Sequence, residues 1–170
     1  MERIARFEFV SKDRFVYDWI DTFGGDAQEA EKIYQNLKKP KRATSGSAGY
    51  DFYVPMDVTL APGETIKIPT GIRAWMADGW VLTCYPRSGL GFKFRLQLNN
   101  TVGIIDSDYY FSDNEGHIFS KITNDSNEGK TVQLKAGEGF MQGIFLPFGI
   151  TEDDDATEKR NGGFGSTTKK

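Results

Sequence analysis

The chain has 170 residues, a formal net charge of −3, one histidine (His117) and one cysteine (Cys84). This length suits a single domain with its own core, and the nearly balanced charge disfavours a protein that binds nucleic acid or membrane surfaces. One histidine and one cysteine exclude a Cys/His zinc site within one chain and an intrachain disulfide, which points to a reducing compartment. Chemistry must then rest on carboxylates, on groups that hold anions, or on a metal ion that arrives with the substrate.

The sequence has no pattern typical of export or membrane insertion. Charges are spread through the first ten residues without an apolar signal core. The most apolar late stretch, residues 143–150, contains Pro147 and is too short to cross a bilayer. We therefore expect a cytoplasmic protein without a membrane partner.

The first two predicted elements are a strand and a helix. Residues 3–10 alternate apolar and polar side chains, which predicts a half-buried strand. Residues 26–38 begin with Asp26 and Glu29 in the spacing of a capping box. Apolar residues then follow at helical spacing until Pro40 ends the pattern. This is the only helix that the sequence predicts.

From Thr44 onward the pattern is that of many short strands. Turn signals rich in glycine and proline separate short runs of β-branched and aromatic residues. These runs are residues 51–54, 65–68, 81–85, 92–98, 118–122, 131–134 and 141–146. Short strands at this spacing predict a sandwich, a jelly roll or a closed barrel.

The last twenty residues change in character. Residues 151–158 (TEDDDATE) have no large apolar side chain, and residues 161–168 (NGGFGSTT) have only Phe164. Neither part has enough apolar area to build a core element, so a solvated tail is the simplest interpretation. An aromatic residue flanked by glycines and followed by Ser166 and Thr167 argues against a mere spacer.

Residues 86–91 (PRSGLG) are the first candidate for chemistry. Proline fixes a turn, two glycines free the backbone, and Arg87 and Ser88 supply a cation and a hydroxyl. These are the parts of a phosphate cradle. A tight turn with a surface salt bridge explains the same composition, and composition alone favours that interpretation.

Residues 99–110 are the second candidate, because an apolar strand runs into two carboxylates. Asp106 and Asp108 would point to one side if the strand continues. Two close carboxylates raise one pKa, which suits a general base, although an Asp-rich turn is common at strand ends. Tyr109 and Tyr110 either form a stacking platform for a ring or pack against the sheet.

Two further segments contain polar residues in unusual settings. Gln142 interrupts an apolar strand, so it lies either at a sheet edge or towards a pocket. In the tail, Lys159 and Arg160 precede glycines and two hydroxyl residues, a combination that suits a phosphate.

Taken in order, these segments resemble the homotrimeric deoxyuridine triphosphatase family, the dUTP diphosphatases. Five short motifs carry the resemblance, the fourth of them partially. They are residues 48–51 (AGYD), 86–90 (PRSGL), 103–109 (GIIDSDY), 137–142 (GEGFMQ) and 162–167 (GGFGST), with Asn100 before the third.

The resemblance implies a mostly β fold, a distorted jelly-roll β-barrel that splits dUTP into dUMP and pyrophosphate. Asp106 would be the base that deprotonates the attacking water, and a β-hairpin around residues 100–109 would hold uracil. Mg²⁺ would sit mainly on the substrate phosphates, with Asp51 reaching it through water. The implied substrate contacts are Arg87, Ser88, Gly89, Asn100, Gly103, Ile105, Tyr109, Gln142, Arg160, Phe164, Gly165, Ser166 and Thr167.

The resemblance also implies a homotrimer with active sites shared between subunits. We expect one β domain over residues 1–150, with a helical insertion at about 15–40, and a flexible C-terminal arm over residues 151–170. The acidic residues 151–158 would tether the glycine-rich end. Residues 151–164, if extended, span on the order of 45 Å, enough to reach a neighbouring subunit.

The chain departs from the family pattern at three places. The insertion at 15–40 precedes the first motif, and its helix either covers the fold or binds a protein partner. The loop at residues 110–117 is longer than usual. In the arm, Lys159 stands where the family has arginine, so either it or Arg160 binds the γ-phosphate, and the forked guanidinium favours Arg160.

Two other functions stay open at this point. A dCTP deaminase shares the barrel and a similar PRS segment, although residues 103–109 favour the triphosphatase. A regulatory protein that binds partners in response to nucleotide would use the insertion and the long loop as its surface.

Overall fold

Short antiparallel strands and a few helices make up residues 1–162, the part of the chain that the computed structural model describes. In chain order the elements are β1 Ala5–Phe9, α1 Lys12–Phe23, α2 Ala27–Gln35, β2 Lys41–Arg42, β3 Tyr50–Tyr53, β4 Val58–Leu60, β5 Thr65–Pro69, β6 Ile72–Met76, β7 Trp80–Pro86, α3 Ser88–Phe94, β8 Leu96–Leu98, β9 Gly103–Ile105, a 3₁₀ helix Ser107–Phe111, β10 Phe119–Asn124, β11 Val132–Leu134 and β12 Gly139–Pro147.

The strands form four small sheets rather than one large one. The largest has the order β2-β3-β12-β7-β9, and a three-stranded sheet has the order β5-β10-β8. Two further pairs, β1 with β6 and β4 with β11, complete the arrangement. This mostly β architecture confirms the predicted jelly-roll fold.

One large apolar core lies between the sheets. Period-two alternation builds it, since Val58 and Leu60 of β4 face inwards together with Val132 and Leu134 of β11. Phe140 is fully buried and comes from β12, the central strand of the five-stranded sheet. Burial of these side chains stabilises the scaffold that holds the site.

The predicted helix forms, but it is shorter than expected. Asp26 caps it by accepting a 2.9 Å hydrogen bond from the Glu29 N–H, as the capping box predicted. The helix ends at Gln35 rather than near residue 38, because the Asn36 side chain donates to the Lys32 carbonyl and closes the last turn. The predicted covering role agrees with the packing of Ile33, which lies against a second small core.

Helix α1 was missed by the sequence analysis, so the prediction of a single helix is wrong. Its residues are largely aromatic and β-branched. These residue types favour strands, so the sequence did not indicate a helix here. The signal that could have found it is Ser11, whose side chain caps the helix by accepting from the Arg14 N–H, followed by Phe15 and Trp19 four residues apart. Both aromatic rings are buried in the small core with Ala30 of α2.

The predicted strand over residues 92–98 is also wrong in its first half. Residues 88–94 form α3, which ends where Arg95 takes a left-handed conformation with φ of +51°. Only Leu96–Leu98 are extended.

Among residues 1–162 no helix has both the length and the apolar character to span a membrane.

Candidate active site

The larger of the two pockets described here lies beside the turn between β8 and β9. It has a volume of about 420 Å³ and an apolar floor that includes Leu98 and Met141. Six of the predicted site residues line it: Asn100, Gly103, Ile105, Asp106, Tyr109 and Arg160. We call this cavity the Asp106 pocket.

The segment that forms the mouth of this pocket differs from the predicted hairpin. Strand β8 pairs with β10, whereas β9 pairs with β7, so the two strands diverge into different sheets after a tight turn. Thr101 makes that turn with φ of +68°, and its N–H bonds the Leu98 carbonyl at 2.8 Å. A cavity opens between the two sheets because their edges separate there.

Asp106 and Asp108 share one guanidinium. Arg160 Nη2 donates to Asp106 Oδ2, and Arg160 Nε donates to Asp108 Oδ1 at 2.9 Å. The strand ends at Ile105, so strand alternation does not place these carboxylates, yet both reach the same cation and lie on one side. Lys159 is exposed, whereas Arg160 lines the pocket.

Tyr109 is held rigidly in the pocket wall. Its hydroxyl donates to the His117 carbonyl at 2.6 Å and accepts from Asn114 Nδ2 at 2.9 Å. Burial raises the pKa of the Tyr109 phenol, so it stays a neutral donor. Tyr110 does not line this pocket; its hydroxyl donates to Glu8, and its ring lies 3.8 Å from the Arg73 guanidinium carbon.

Among the pocket residues that sequence reasoning did not assign to the site, two have a hydroxyl or a thiol. The Ser120 hydroxyl is buried and has no hydrogen-bond partner among residues 1–162. A serine inside an alternating strand gives no sequence signal. The other is Cys84. Burial raises the pKa of its thiol to about 12, so the thiol is not a nucleophile at neutral pH.

A second pocket, of about 320 Å³, collects the predicted phosphate-binding groups. Arg87, Ser88, Asp51 and Gln142 all line it. Arg87 Nε lies 3.2 Å from Asp51 Oδ1, and Gln142 Nε2 donates to the Pro86 carbonyl at 3.3 Å. We call this cavity the Arg87 pocket; Gly89 follows Ser88 in the first turn of α3 without lining it.

A glycine of the first motif packs directly against Gln142. A Cβ atom on Gly49 would overlap the Gln142 amide oxygen. Strands β3 and β12 pair in a register that places Asp51 opposite Gln142, so the two polar groups share one face of the sheet. The first and fourth motifs therefore meet at this pocket.

The two pockets lie on opposite faces of the five-stranded sheet. Met141 and Gln142 are consecutive in β12, and Met141 lines the Asp106 pocket whereas Gln142 lines the Arg87 pocket. Consecutive side chains of a strand point to opposite faces. Within a single chain, the sheet therefore separates Asp106 from Arg87.

The arm is described only as far as Gly162. The Ser112 hydroxyl bonds the Gly162 carbonyl at 3.4 Å, so the described part of the arm returns to the Asp106 pocket of its own chain. The predicted contacts of Phe164, Gly165, Ser166 and Thr167 lie outside the described residues and stay predictions.

The Asp51 carboxylate is compatible with a magnesium ion that the substrate phosphates would bind. Among residues 1–162 no group of three or more acidic, histidine or cysteine side chains is close enough to hold a metal ion. Asp51 Oδ1 lies 3.2 Å from Arg87 Nε, and the contact of Asp51 with a hydrated Mg²⁺ stays a prediction.

Comparison with known families decides the assignment. A family model described as dUTPase matches residues 35–168. The chain belongs to the dUTPase family. Residues 1–34, which include α1 and most of α2, lie outside the matched region.

Individual dUTPases agree with this assignment. The deoxyuridine 5'-triphosphate nucleotidohydrolase of Lactococcus lactis is 48% identical over 139 residues, which cover 79% of this chain and 91% of the relative. The crystal structure of dUTPase from Streptococcus mutans has 37% identity and a TM-score of 0.63, covering 86% of this chain and 98% of its own. A dUTPase of phage phi11 of S. aureus, described with a structural Mg(II) ion, has 20% identity and a TM-score of 0.63, covering 92% and 98%, and supports the fold alone.

Proposed function

We propose that this protein hydrolyses dUTP to dUMP and pyrophosphate. The observation that carries the proposal is the Asp106 pocket, in which an acidic residue of the third dUTPase motif lies beside Asn100 and Tyr109. Asp106 holds the attacking water and accepts its proton as the water approaches the α-phosphorus. Family membership and the names of the relatives support the same reaction.

Substrate selection belongs to the Asp106 pocket. Backbone groups of Gly103 and Ile105 pair with the uracil edge, and Asn100 adds a side-chain contact, so cytosine presents the wrong donors and acceptors. Tyr109 lies under the deoxyribose and leaves no room for a 2′-hydroxyl.

The triphosphate belongs to the Arg87 pocket. Arg87 and Ser88 bind the phosphates, Gly89 allows the chain to approach them, and Gln142 orders this region. Asp51 would hold a Mg²⁺ ion through water beside the triphosphate, and the ion would supply neutralisation of charge on the phosphates.

A complete site therefore requires more than one chain. The two pockets lie on opposite faces of one sheet, as Met141 and Gln142 demonstrate, and a dUTP molecule needs both sets of groups. A homotrimer in which the Asp106 pocket of one subunit faces the Arg87 pocket of another supplies them.

The arm completes the site once substrate is bound. Arg160 bridges Asp106 and Asp108, and the γ-phosphate of bound dUTP competes with these carboxylates for the Arg160 guanidinium. Phe164 then stacks on uracil, and Gly165, Ser166 and Thr167 close over the phosphates. The division into a domain over residues 1–150 and an arm over 151–170 belongs to this proposal, as does a protein partner at the insertion.

Nucleotide selectivity tests the proposed function. We expect rapid pyrophosphate release from dUTP with Mg²⁺ and far slower release from dTTP, dCTP and UTP, with strong loss when Mg²⁺ is removed. Equal rates on all four nucleotides would contradict the selection argued above. Ammonia release from dCTP would instead identify a deaminase.

A further inference from the structure

The two features that depart from the dUTPase pattern, helix α1 and the loop of residues 112–117, bind each other. Ser11, at the start of α1, donates its N–H to Glu115 Oε1 at 2.8 Å and its hydroxyl to Glu115 Oε2 at 2.6 Å. Both oxygens of one carboxylate are thus used to tie the loop to the first turn of the helix.

A buried hydrogen bond makes a second link between helix and loop. His117 is fully buried, and its Nδ1 lies 2.6 Å from Asp18 Oδ2 of α1. Its Nε2 accepts the Gly71 N–H at 2.8 Å, which places the ring proton on Nδ1, where it is donated to Asp18. Arg14 Nη1 donates to the other Asp18 oxygen at 3.2 Å, so the carboxylate is itself held in place.

The loop in turn holds Tyr109. The Tyr109 hydroxyl donates to the carbonyl of His117, and the His117 ring in turn donates to Asp18. At Gly116, where φ is +69°, an added Cβ would lie 2.7 Å from the Tyr109 carbonyl oxygen and from Tyr110 Cα. The loop backbone therefore packs directly on the 3₁₀ helix that carries Tyr109.

We propose that helix α1 sets the sugar selectivity of the active site, with Asp18 and His117 as positioning residues for Tyr109. This rests on the proposed function, in which Tyr109 excludes the 2′-hydroxyl. Neither Asp18 nor His117 lines the pocket, so both act through the loop carbonyl that receives the Tyr109 hydroxyl. Exclusion of a hydroxyl by shape depends on the ring position to a fraction of an ångström, and a loosened loop admits the ribose.

The ratio of kcat/KM for dUTP to kcat/KM for UTP measures this role. Asp18→Ala removes the acceptor for His117, and we expect the ratio to fall about tenfold, mainly through better use of UTP. Asp21→Ala is the matched control, because Asp21 is an exposed aspartate on the same helix, and it should keep the wild-type ratio. A purely structural role of Asp18 would reduce the active fraction and lower both activities equally, which leaves the ratio unchanged.

A second variant keeps the test independent of folding. Glu115→Ala breaks only the partly exposed link to Ser11, and the ratio should fall in the same direction if α1 acts through the loop. A ratio within twofold of wild type in the folded variants would overturn the inference while leaving dUTP hydrolysis intact. A wild-type protein that releases no pyrophosphate from dUTP overturns the proposed function, and this inference with it.

Discussion

Asp106 is the residue on which the proposed chemistry depends, and its setting differs from that of an isolated surface carboxylate. It lies in a pocket with an apolar floor, and Arg160 binds it on the open side. Sequence reasoning found Asp106 from two acids at the end of an apolar strand. It did not find the guanidinium bridge, because Arg160 is 54 residues away along the chain.

Replacement of Asp106 by asparagine tests its role as the base. We expect Asp106→Asn to lower kcat for dUTP by roughly 10²–10⁴-fold, because the amide cannot take the proton from water. Pyrophosphate release measures turnover, and binding of a non-hydrolysable dUTP analogue shows that the pocket is intact. Asp78→Asn, at an exposed turn, is the matched control and should keep full activity. Retention of a tenth of wild-type kcat would contradict the assignment.

The buried His117 makes stability depend on pH. Burial lowers the pKa of this imidazole, and hydrogen bonding to Asp18 opposes that effect only in part. The unfolded chain takes up a proton near pH 6.5 while the folded chain stays neutral, so the stabilisation is complete above that pH and is lost as the pH falls. We expect the Tm to fall between pH 7.5 and pH 5.5.

A variant without the imidazole separates this contribution from those of the carboxylates. His117→Gln should have a lower Tm at pH 7.5 and a flatter dependence on pH between 7.5 and 5.5, as measured by thermal unfolding at fixed protein concentration. The chain has a single histidine, so no other imidazole titrates in this window. An equal slope in both proteins would exclude His117 as the cause.

At the scale of elements, the insertion has a defined structural role. The sequence predicted α2 and the burial of its apolar face, but α1, the helix that contacts the loop of residues 112–117, was hidden by its aromatic and β-branched residues. The strand predicted over 92–98 was half wrong, because residues 88–94 turn into α3 instead. Local propensity is weak in such short segments, and packing decides their conformation.

Removal of the arm tests its role as an element. A chain truncated before Lys159 should fold and assemble as the full chain does, because the described residues that the truncation removes, 159–162, belong to neither apolar core. Its kcat/KM for dUTP should fall by at least about 10²-fold, since the phosphate clamp and the stacking ring are removed. Activity and sedimentation are measured on the same sample. Failure of the truncated chain to assemble would show that the arm is structural rather than catalytic.

At the scale of the whole molecule, the separation of the two pockets has a testable consequence. Asp106→Asn and Arg87→Ala damage pockets on opposite faces of one sheet. If a site combines pockets from two subunits, each trimer that contains both inactive variants has about one intact site in three, and random mixing of equal amounts restores about one quarter of all sites. Pyrophosphate release after co-refolding measures the recovery.

A matched mixture controls for this experiment. Asp106→Asn mixed with Asp106→Ala damages the same pocket in every subunit and should stay inactive. If the mixture of Asp106→Asn and Arg87→Ala also stays inactive after it forms trimers, each site lies within one chain, and the shared-site proposal is wrong.

The sequence by itself determined the family, the motif residues and the mostly β fold. Local signals are sufficient for these three properties, because turn residues, the alternation of apolar and polar side chains, and short motifs each involve residues that are close together in the sequence. Only the tertiary structure decided which motifs meet, since Asp106 and Arg87 lie on opposite faces of a sheet whose strand order follows from long-range pairing. It alone also joined Asp18 to His117, which lie 99 residues apart along the chain. Such pairs form because burial of a polar group requires a partner, and folding brings that partner from a distant part of the chain.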